Sequence, residues 1–348
     1  MRGAWASRTR IRSVAIVRRK SEGASGDKSK AKKCGWPEVG VAVFGRRVRA
    51  IEIFAPAKLN LFLAITGRRA DGFHDLVSMA ATLDFGDTLR ADVRERGEGG
   101  GEWTLHCDDA TVPTDETNLV VKAARAFAAA TGWPGKGVGV DFSLTKRVPM
   151  GAGLGGGSSD AVAALRALNA LSGLAPGAAE LATMAAGLGS DCALFLHDGP
   201  VVMRGRGERI EVLPTGASTR LRGRRVLVFK PGFGIATPWA YGRMAGKAPS
   251  GYLPEAEAEA RLAAWVGGDG AAEELLFNNM EPVAFEKFVA LPTLLEQLRD
   301  EFGLVARMSG SGSACFALLP DGMDAAAIGQ TVRAAWGPTS FVVEAKLR

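Results

Sequence analysis

VPMGAGLGGGSSDA, residues 148–161, packs five glycines and two adjacent serines into fourteen positions. The preceding VGVDFSLTKR alternates as a strand does. In the following DAVAALRALNALSG, Val162, Leu165, Leu168 and Leu171 repeat at helical spacing. The spacing therefore predicts strand, glycine loop, helix, with Ser158 and Ser159 at the N-cap. Glycine lacks a Cβ, so such a loop can bring backbone N–H groups close to a ligand, and a helix N-terminus favours an anion. A plain turn would need one or two glycines, not five. A phosphate is the expected guest.

The loop matches neither common nucleotide signature. A P-loop would continue Gly-Lys-Ser/Thr, whereas Gly157 is followed by Ser158, Ser159 and Asp160. A dinucleotide fold needs an acid about 20 residues on, after a second strand, and Glu180 falls in the helical PGAAELATMAA. The cation must come from elsewhere, and the candidate is Lys58. It sits in IEIFAPAKLNLFLAI, where Ile51, Ile53, Leu59, Leu61, Leu63 and Ile65 alternate apolar and Lys58 and Asn60 share the opposite face.

Further along, TGRRADGFHDL reads as a loop turning at Asp71-Gly72, VSMAATLDFGDTLRADVRER as strand, and GEGGGEW as a hairpin or mobile loop. DETNLVVKAARAFAAATG reads as a helix ended by Gly132. After the glycine loop come strand and loop in RVLVFKPGFGIATP, helices in AEAEARLAAW and PTLLEQLRDEF, and strand–helix–strand to the end. Tyr241 follows GIATPWA, read as part of that loop. A seam near residues 205–207 divides an ATP-binding domain, 49–205, from a C-terminal domain, 206–348.

Composition narrows the functional classes. Forty-seven per cent of the 348 residues are hydrophobic and 23% charged, enough for a large core and two domains. No apolar run approaches the roughly 18 to 20 residues of a membrane span, so no membrane partner is expected. The net charge of +6 is uneven. Residues 1–50 hold 14 Lys/Arg against 3 Asp/Glu, leaving 29 against 34 in the body. An acidic body argues against nucleic acid as a partner. The basic segment 1–48 reads as an unstructured extension, with a transit peptide, a nucleic-acid arm or a start site placed too early as alternatives. Four scattered cysteines, without a C-x-x-C pair, fit reduced thiols in a cytosol. The expected location is cytoplasmic and bacterial, or plastid if the extension is a transit peptide.

PMGAGLGGGSSDA resembles the phosphate-binding motif of the GHMP small-molecule kinases, FAPAKLNLFL their first motif and MSGSGSACFALL (308–319) their third. All three occur in family order. PAKLNLFLAITGRRADGFHDL and LGSDCALFL are further similar to the branch whose acceptor is a cytidine-diphosphate-bearing alcohol of the non-mevalonate isoprenoid route. The resemblance implies an α/β (α+β) fold of two domains, the first ribosomal-protein-S5-like and the second ferredoxin-like, with the site in the cleft between them. It implies ATP with Mg²⁺ as cofactor, a small-molecule cytidine diphosphate substrate phosphorylated on its 2-hydroxyl, and a monomer or weak homodimer.

Carried over residue by residue, the resemblance makes Asp191 the general base and Lys58 its partner. From spacing alone, Asp191 reads rather as a cap or turn residue, and the resemblance reverses that reading. ATP is expected on Asn118, Leu119 and Lys146 at the adenine and on Pro149, Met150, Gly151, Ala152, Gly153, Leu154, Gly155, Gly156, Gly157, Ser158 and Ser159 at the phosphates. Substrate is expected on Asn60, on Phe73 and Tyr241 sandwiching cytosine, on His74 at the base edge, and on Gly310, Ser311 and Gly312. No metal ligand is assigned. Phe73 stands where the family often has Tyr, which keeps stacking but loses a hydroxyl, and DCALF lacks a proline frequent there. A different GHMP kinase would lack the cytosine set, and a non-catalytic nucleotide module would lack Lys58 or Asp191.

Overall fold

The computed structural model describes residues 40–44, 47–95, 103–135 and 137–348. Most of the basic segment 1–48 and nearly all of GEGGGEW lie outside these residues. The described residues open with β1 (Gly40–Phe44), inside the segment read as an extension, paired antiparallel to β2 (Arg47–Arg68). β2 and β3 (His74–Glu95) form a long antiparallel hairpin, so the loop predicted over TGRRADGFHDL shrinks to five residues, 69–73. After β4 (Trp103–Cys107) and α1 (Leu119–Thr131, ended by Gly132 as predicted), β5 (Val138–Thr145) leads into α2 (Gly156–Ser172) and α3 (Ala178–Leu188). β6 (Val201–Gly205) and β7 (Arg209–Val212) complete a hairpin on β3.

Beyond α4 (Thr215–Thr219), β8 (Arg225–Lys230) begins a second sheet. α5 (Thr237–Ala245) and α6 (Glu255–Gly267) follow. The chain then touches the first sheet again at β9 (Phe277–Asn278), parallel to β2, before α7 (Glu281–Phe285), α8 (Ala290–Phe302), β10 (Ala306–Met308), β11 (Cys315–Leu318), α9 (Ala325–Trp336) and β12 (Phe341–Lys346). The sheet orders are β1-β2-β3-β5-β4, with β6, β7 and β9 attached, and β10-β11-β8-β12. This mixed α/β, two-sheet architecture is the fold class the motifs implied. The change of sheet falls between Val212 and Arg225, because β7 stays with the first sheet, after the seam read at 205–207.

Three register shifts in β2, at Pro56/Lys58, Asn60/Phe62 and Ile65/Gly67, decide where its side chains go. Each extra residue swaps the faces of the residues after it. Ile51, Ile53 and Ala55 join the core under α1 and α2. After the first bulge Ala57, Leu59 and Leu61 point the other way, and after the second Leu63 and Ile65 return. The simple alternation read from sequence is thus broken twice, and Lys58 and Asn60 are turned towards the side on which α2 packs. Opposite them, Leu59, Leu61 and Met79 share a core with Val226, Val228 and Phe316 of the second sheet, whose alternate residues Leu227, Phe229 and Ala317 lie in the core with α8 and α9.

Two local expectations are corrected. Helix α2 begins at Gly156, with Gly155 as N-cap in the left-handed region, so Ser158 and Ser159 lie in its first turn and not at the cap. Tyr241 lies within α5, not in a loop: Pro238 occupies the start of that helix, where its missing N–H costs nothing.

Candidate active site

The glycine loop is held by its neighbours, each contact explaining a residue. Lys58 N donates to Leu154 O (2.9 Å), and Ala314 N donates to Ala152 O (3.0 Å). Ser309 Oγ donates to Gly153 O (3.0 Å). A Cβ on Gly153, at φ +76°, would stand 2.1 Å from Ser309 O. One on Gly155 would stand 2.9 Å from both Lys58 Cγ and Phe195 Cζ. No side chain caps α2, so its first N–H groups stay available to a ligand at the loop, as a phosphate cradle requires.

Beside this loop Lys58 Nζ lies 3.1 Å from Asp191 Oδ2 and donates to Asn60 Oδ1 at 2.5 Å. Lys58 is almost wholly buried, whereas the Asp191 side chain is 35% exposed and opens into the cleft. Asn60 is fixed in turn: its Nδ2 donates to Ser78 Oγ (2.9 Å), and Ser78 Oγ donates to Phe62 O (2.6 Å). A buried ammonium so placed can orient the carboxylate while attracting phosphoryl oxygens. Asp191 precedes a single 3₁₀ turn, Ala193–Leu196, whose cap is Cys192, so the cap reading of Asp191 gives way to the ion pair.

These groups line a cleft of about 910 Å³ between the glycine loop, β2, the 69–73 loop and α5. Every residue assigned from sequence reaches it except Ser159, buried in the first turn of α2, and Gly312, which packs on Met308. Asn118 caps α1 through its Oδ1, which accepts from Val120 N (2.8 Å), and its Nδ2 donates to Pro113 O. Lys146 lines the cleft too, but its ammonium is taken by Asp87 (2.5 Å) and Asp160 (3.0 Å). Burial works to lower the Lys146 pKa, yet the two carboxylates outweigh it and hold it above its ordinary value. Asp160, its Oδ1 buried without a partner, is pushed up by burial.

At the far end, His74 packs on Tyr241 (ring centroids 5.0 Å apart) and on Tyr252 (5.9 Å). Its Nε2 is buried with no hydrogen-bond partner among the described residues, and burial, helped by Arg68, lowers its pKa, which favours the neutral ring that can serve a base edge. Phe73 is 49% exposed, with the Arg206 guanidinium 5.0 Å from its centroid.

Residues that sequence reading passed over complete the frame. Asn278 Nδ2 donates to Met308 O (2.7 Å) and Gly310 O (2.9 Å), and Glu281 Oε1 accepts from Met308 N (2.8 Å), which together pin the 309–313 loop against the glycine loop. Burial raises Glu281 to about 7. Their only signal was polar residues in FNNMEP amid apolar neighbours.

A glycine loop facing a buried lysine paired with a part-exposed aspartate in a two-sheet cleft defines a small-molecule kinase of the GHMP class. The family models agree: GHMP kinases N terminal domain matches residues 118–199, and GHMP kinases C terminal matches 263–338. The chain is 38% identical over 283 residues to the 4-diphosphocytidyl-2-C-methyl-D-erythritol kinase of Synechococcus sp. (strain CC9311), covering 79% of this chain and 88% of that one. It is 38% identical over 276 residues to the same-named enzyme of Granulibacter bethesdensis, covering 78% and 86%. A crystal structure of 4-(cytidine 5'-diphospho)-2C-methyl-D-erythritol kinase superposes with a TM-score of 0.66 at 34% identity, over 85% of this chain and 99% of that chain. Homoserine kinase from Cytophaga hutchinsonii, at 20% identity and TM-score 0.65, shares the fold over 88% of this chain and 97% of that one. The chain belongs to the 4-diphosphocytidyl-2-C-methyl-D-erythritol kinase family.

Proposed function

We propose that the chain transfers the γ-phosphoryl group of ATP to the 2-hydroxyl of 4-diphosphocytidyl-2-C-methyl-D-erythritol, a step of the non-mevalonate route to isoprenoid precursors. The observation that carries this is the Lys58–Asp191 pair, 3.1 Å apart at the lip of the glycine loop. Asp191 takes the hydroxyl proton, Lys58 pairs with the carboxylate and stabilises charge on the moving phosphoryl group, and Asn60 orients both the lysine and the polyol. ATP lies with its phosphates at residues 149–158 and its adenine towards Asn118 and Leu119. Cytosine lies among Phe73, His74 and Tyr241, where the buried, partnerless Nε2 of His74 gives a base edge something to bond.

Mg²⁺ enters as the companion of the nucleotide. Among the described residues no three His, Cys, Asp or Glu side chains are grouped to hold a metal; Mg²⁺ commonly keeps several waters and leans on phosphate oxygens. It would supply charge neutralisation. The reaction needs neither nucleic acid nor membrane, no helix among the described residues is long and apolar enough to cross a bilayer, and a bacterial cytosol is the proposed setting.

The test is ATP consumption across a panel of alcohols that includes the cytidine diphosphate substrate. A related expectation concerns Tyr241→Ala. Base stacking is worth about 1–3 kcal/mol by alanine substitution in single-stranded nucleic-acid proteins, so the KM for the cytidine-bearing substrate rises roughly five- to a hundred-fold. The KM for ATP stays nearly constant. Steady-state kinetics decide it, and a joint rise of both values, or of neither, removes the cytosine site and leaves a GHMP kinase of another alcohol.

A further inference from the structure

Four described cations line the cleft: Lys58, Arg68, Lys146 and Arg206. Lys58 is matched by Asp191, and Lys146 by Asp87 and Asp160. Arg68 and Arg206 form no ion pair with an acid among the described residues. Asp71 lies within electrostatic reach of Arg206, but it accepts from Arg69 Nε (3.1 Å) and Phe73 N (3.1 Å). The cleft therefore holds two guanidinium groups whose charge the protein leaves for something else.

Their place in the cleft says what. Arg206 lies in the turn between β6 and β7, where the neighbouring Gly207 is pressed on Ser190: a Cβ there would stand 2.9 Å from Ser190 O. Ser190 adjoins Asp191. The Arg206 backbone N–H donates to Glu208 Oε2 (2.8 Å), which fixes the turn, and the guanidinium reaches the Phe73 ring, 5.0 Å away. Arg206 thus lines the cleft from a turn packed beside Ser190, and its guanidinium reaches the aromatic end at Phe73. Arg68, opposite His74 in the β2–β3 register, flanks the same end.

We propose that Arg206, seconded by Arg68, grips the diphosphate of the acceptor and so makes the charged linker, besides the base and the polyol, a determinant of substrate choice. This rests on the cytidine-diphosphate reading above. A linker joining a polyol at Asp191 to a base at His74 would run through the cleft whose lining includes Arg206 and Arg68. A planar guanidinium can meet two phosphate oxygens at once while its face stays on Phe73.

Calorimetric titration of the full chain with CDP and with cytidine separates the possibilities. The unaltered protein is expected to bind CDP more tightly than cytidine. Arg206→Met, which keeps an apolar stem over Phe73, weakens CDP by about ten- to a hundred-fold, the effect of losing a charged hydrogen bond, and leaves cytidine nearly unchanged. Arg206→Lys restores part of the loss, and Arg68→Met gives a smaller one of the same kind. Circular dichroism melts of the variants check that they are folded. If Arg206→Met weakens CDP and cytidine equally, or neither, the residue acts on the ring alone or not at all and the proposal is overturned while the cytidine reading stands. If the unaltered protein binds neither ligand although it binds ATP, both fall together.

Discussion

Asp191→Asn is expected to cut kcat by about 10²- to 10⁴-fold, the usual contribution of a positioned general base, while ATP binds as before. The change is nearly isosteric, so the cleft keeps its shape. What is lost is the proton acceptor and the negative partner of Lys58, whose ammonium keeps Asn60 Oδ1 as a neighbour in a buried place. The glycine loop is untouched, because its contacts run through Lys58 N, Ser309 and Ala314, not through Asp191. Turnover by ATP consumption and ATP affinity by titration are the two measurements. A variant that turns over normally would reduce Asp191 to a structural counter-ion.

Gly153→Ala should be nearly as damaging by a different route. The methyl group would be driven 2.1 Å from the Ser309 carbonyl oxygen, a backbone atom that cannot rotate aside, at a φ of +76° that itself costs alanine about 1–2 kcal/mol. The 309–313 loop cannot simply back away, since Asn278 and Glu281 hold it from behind. Relief therefore comes from moving the glycine loop, and a displacement on the order of 1 Å can lower a rate about a hundred-fold. The expected pattern is a loss in kcat/KM of at least that order, with a fall in melting temperature. Gly151→Ala is the control, since a Cβ there meets nothing within 4 Å, although its φ of +60° is also left-handed. Equal activity of the two variants would show that the contact with Ser309 does not matter.

How much of the molecule was legible in the sequence depended on distance along the chain. The glycine loop, Lys58, the helix from Leu119 to Gly132 and the stripe of α2 come from chemistry within a few residues, and the fold keeps them. The face changes of β2 were not legible, because a bulge is defined against a partner strand, and β3 lies some twenty residues on. The Asp87–Lys146–Asp160 cluster joins residues far apart along the chain, whose only local sign was the second aspartate of LDFGDTL and another after the serines. The N-cap of α2 was misplaced because serine is the usual cap, whereas here a left-handed glycine leaves the first turn open. Tyr241 was put in a loop by the glycines and prolines before it, although a proline at the first turn is as much a beginning of helix as an end of strand. Spacing alone left Asp191 ambiguous, because its partner is a lysine more than a hundred residues away.

The two-residue strand β9 carries a consequence for how the protein comes apart. The chain leaves the first sheet after Val212, builds β8, α5 and α6, then lays Phe277 and Asn278 alongside Phe62 and Leu63 before returning to finish the second sheet. The halves are laced, not hinged on one linker, with a further stitch where Leu347 pairs with Leu83, and Asn278 is the stitch that holds the 309–313 loop beside the glycine loop. Melting the second sheet must therefore pull a thread out of the first. An N-terminal half expressed alone would keep its glycines and its lysine yet lack the stitch that tensions them, so exchange of halves between relatives calls for a cut at Val212 and a second one at Phe277.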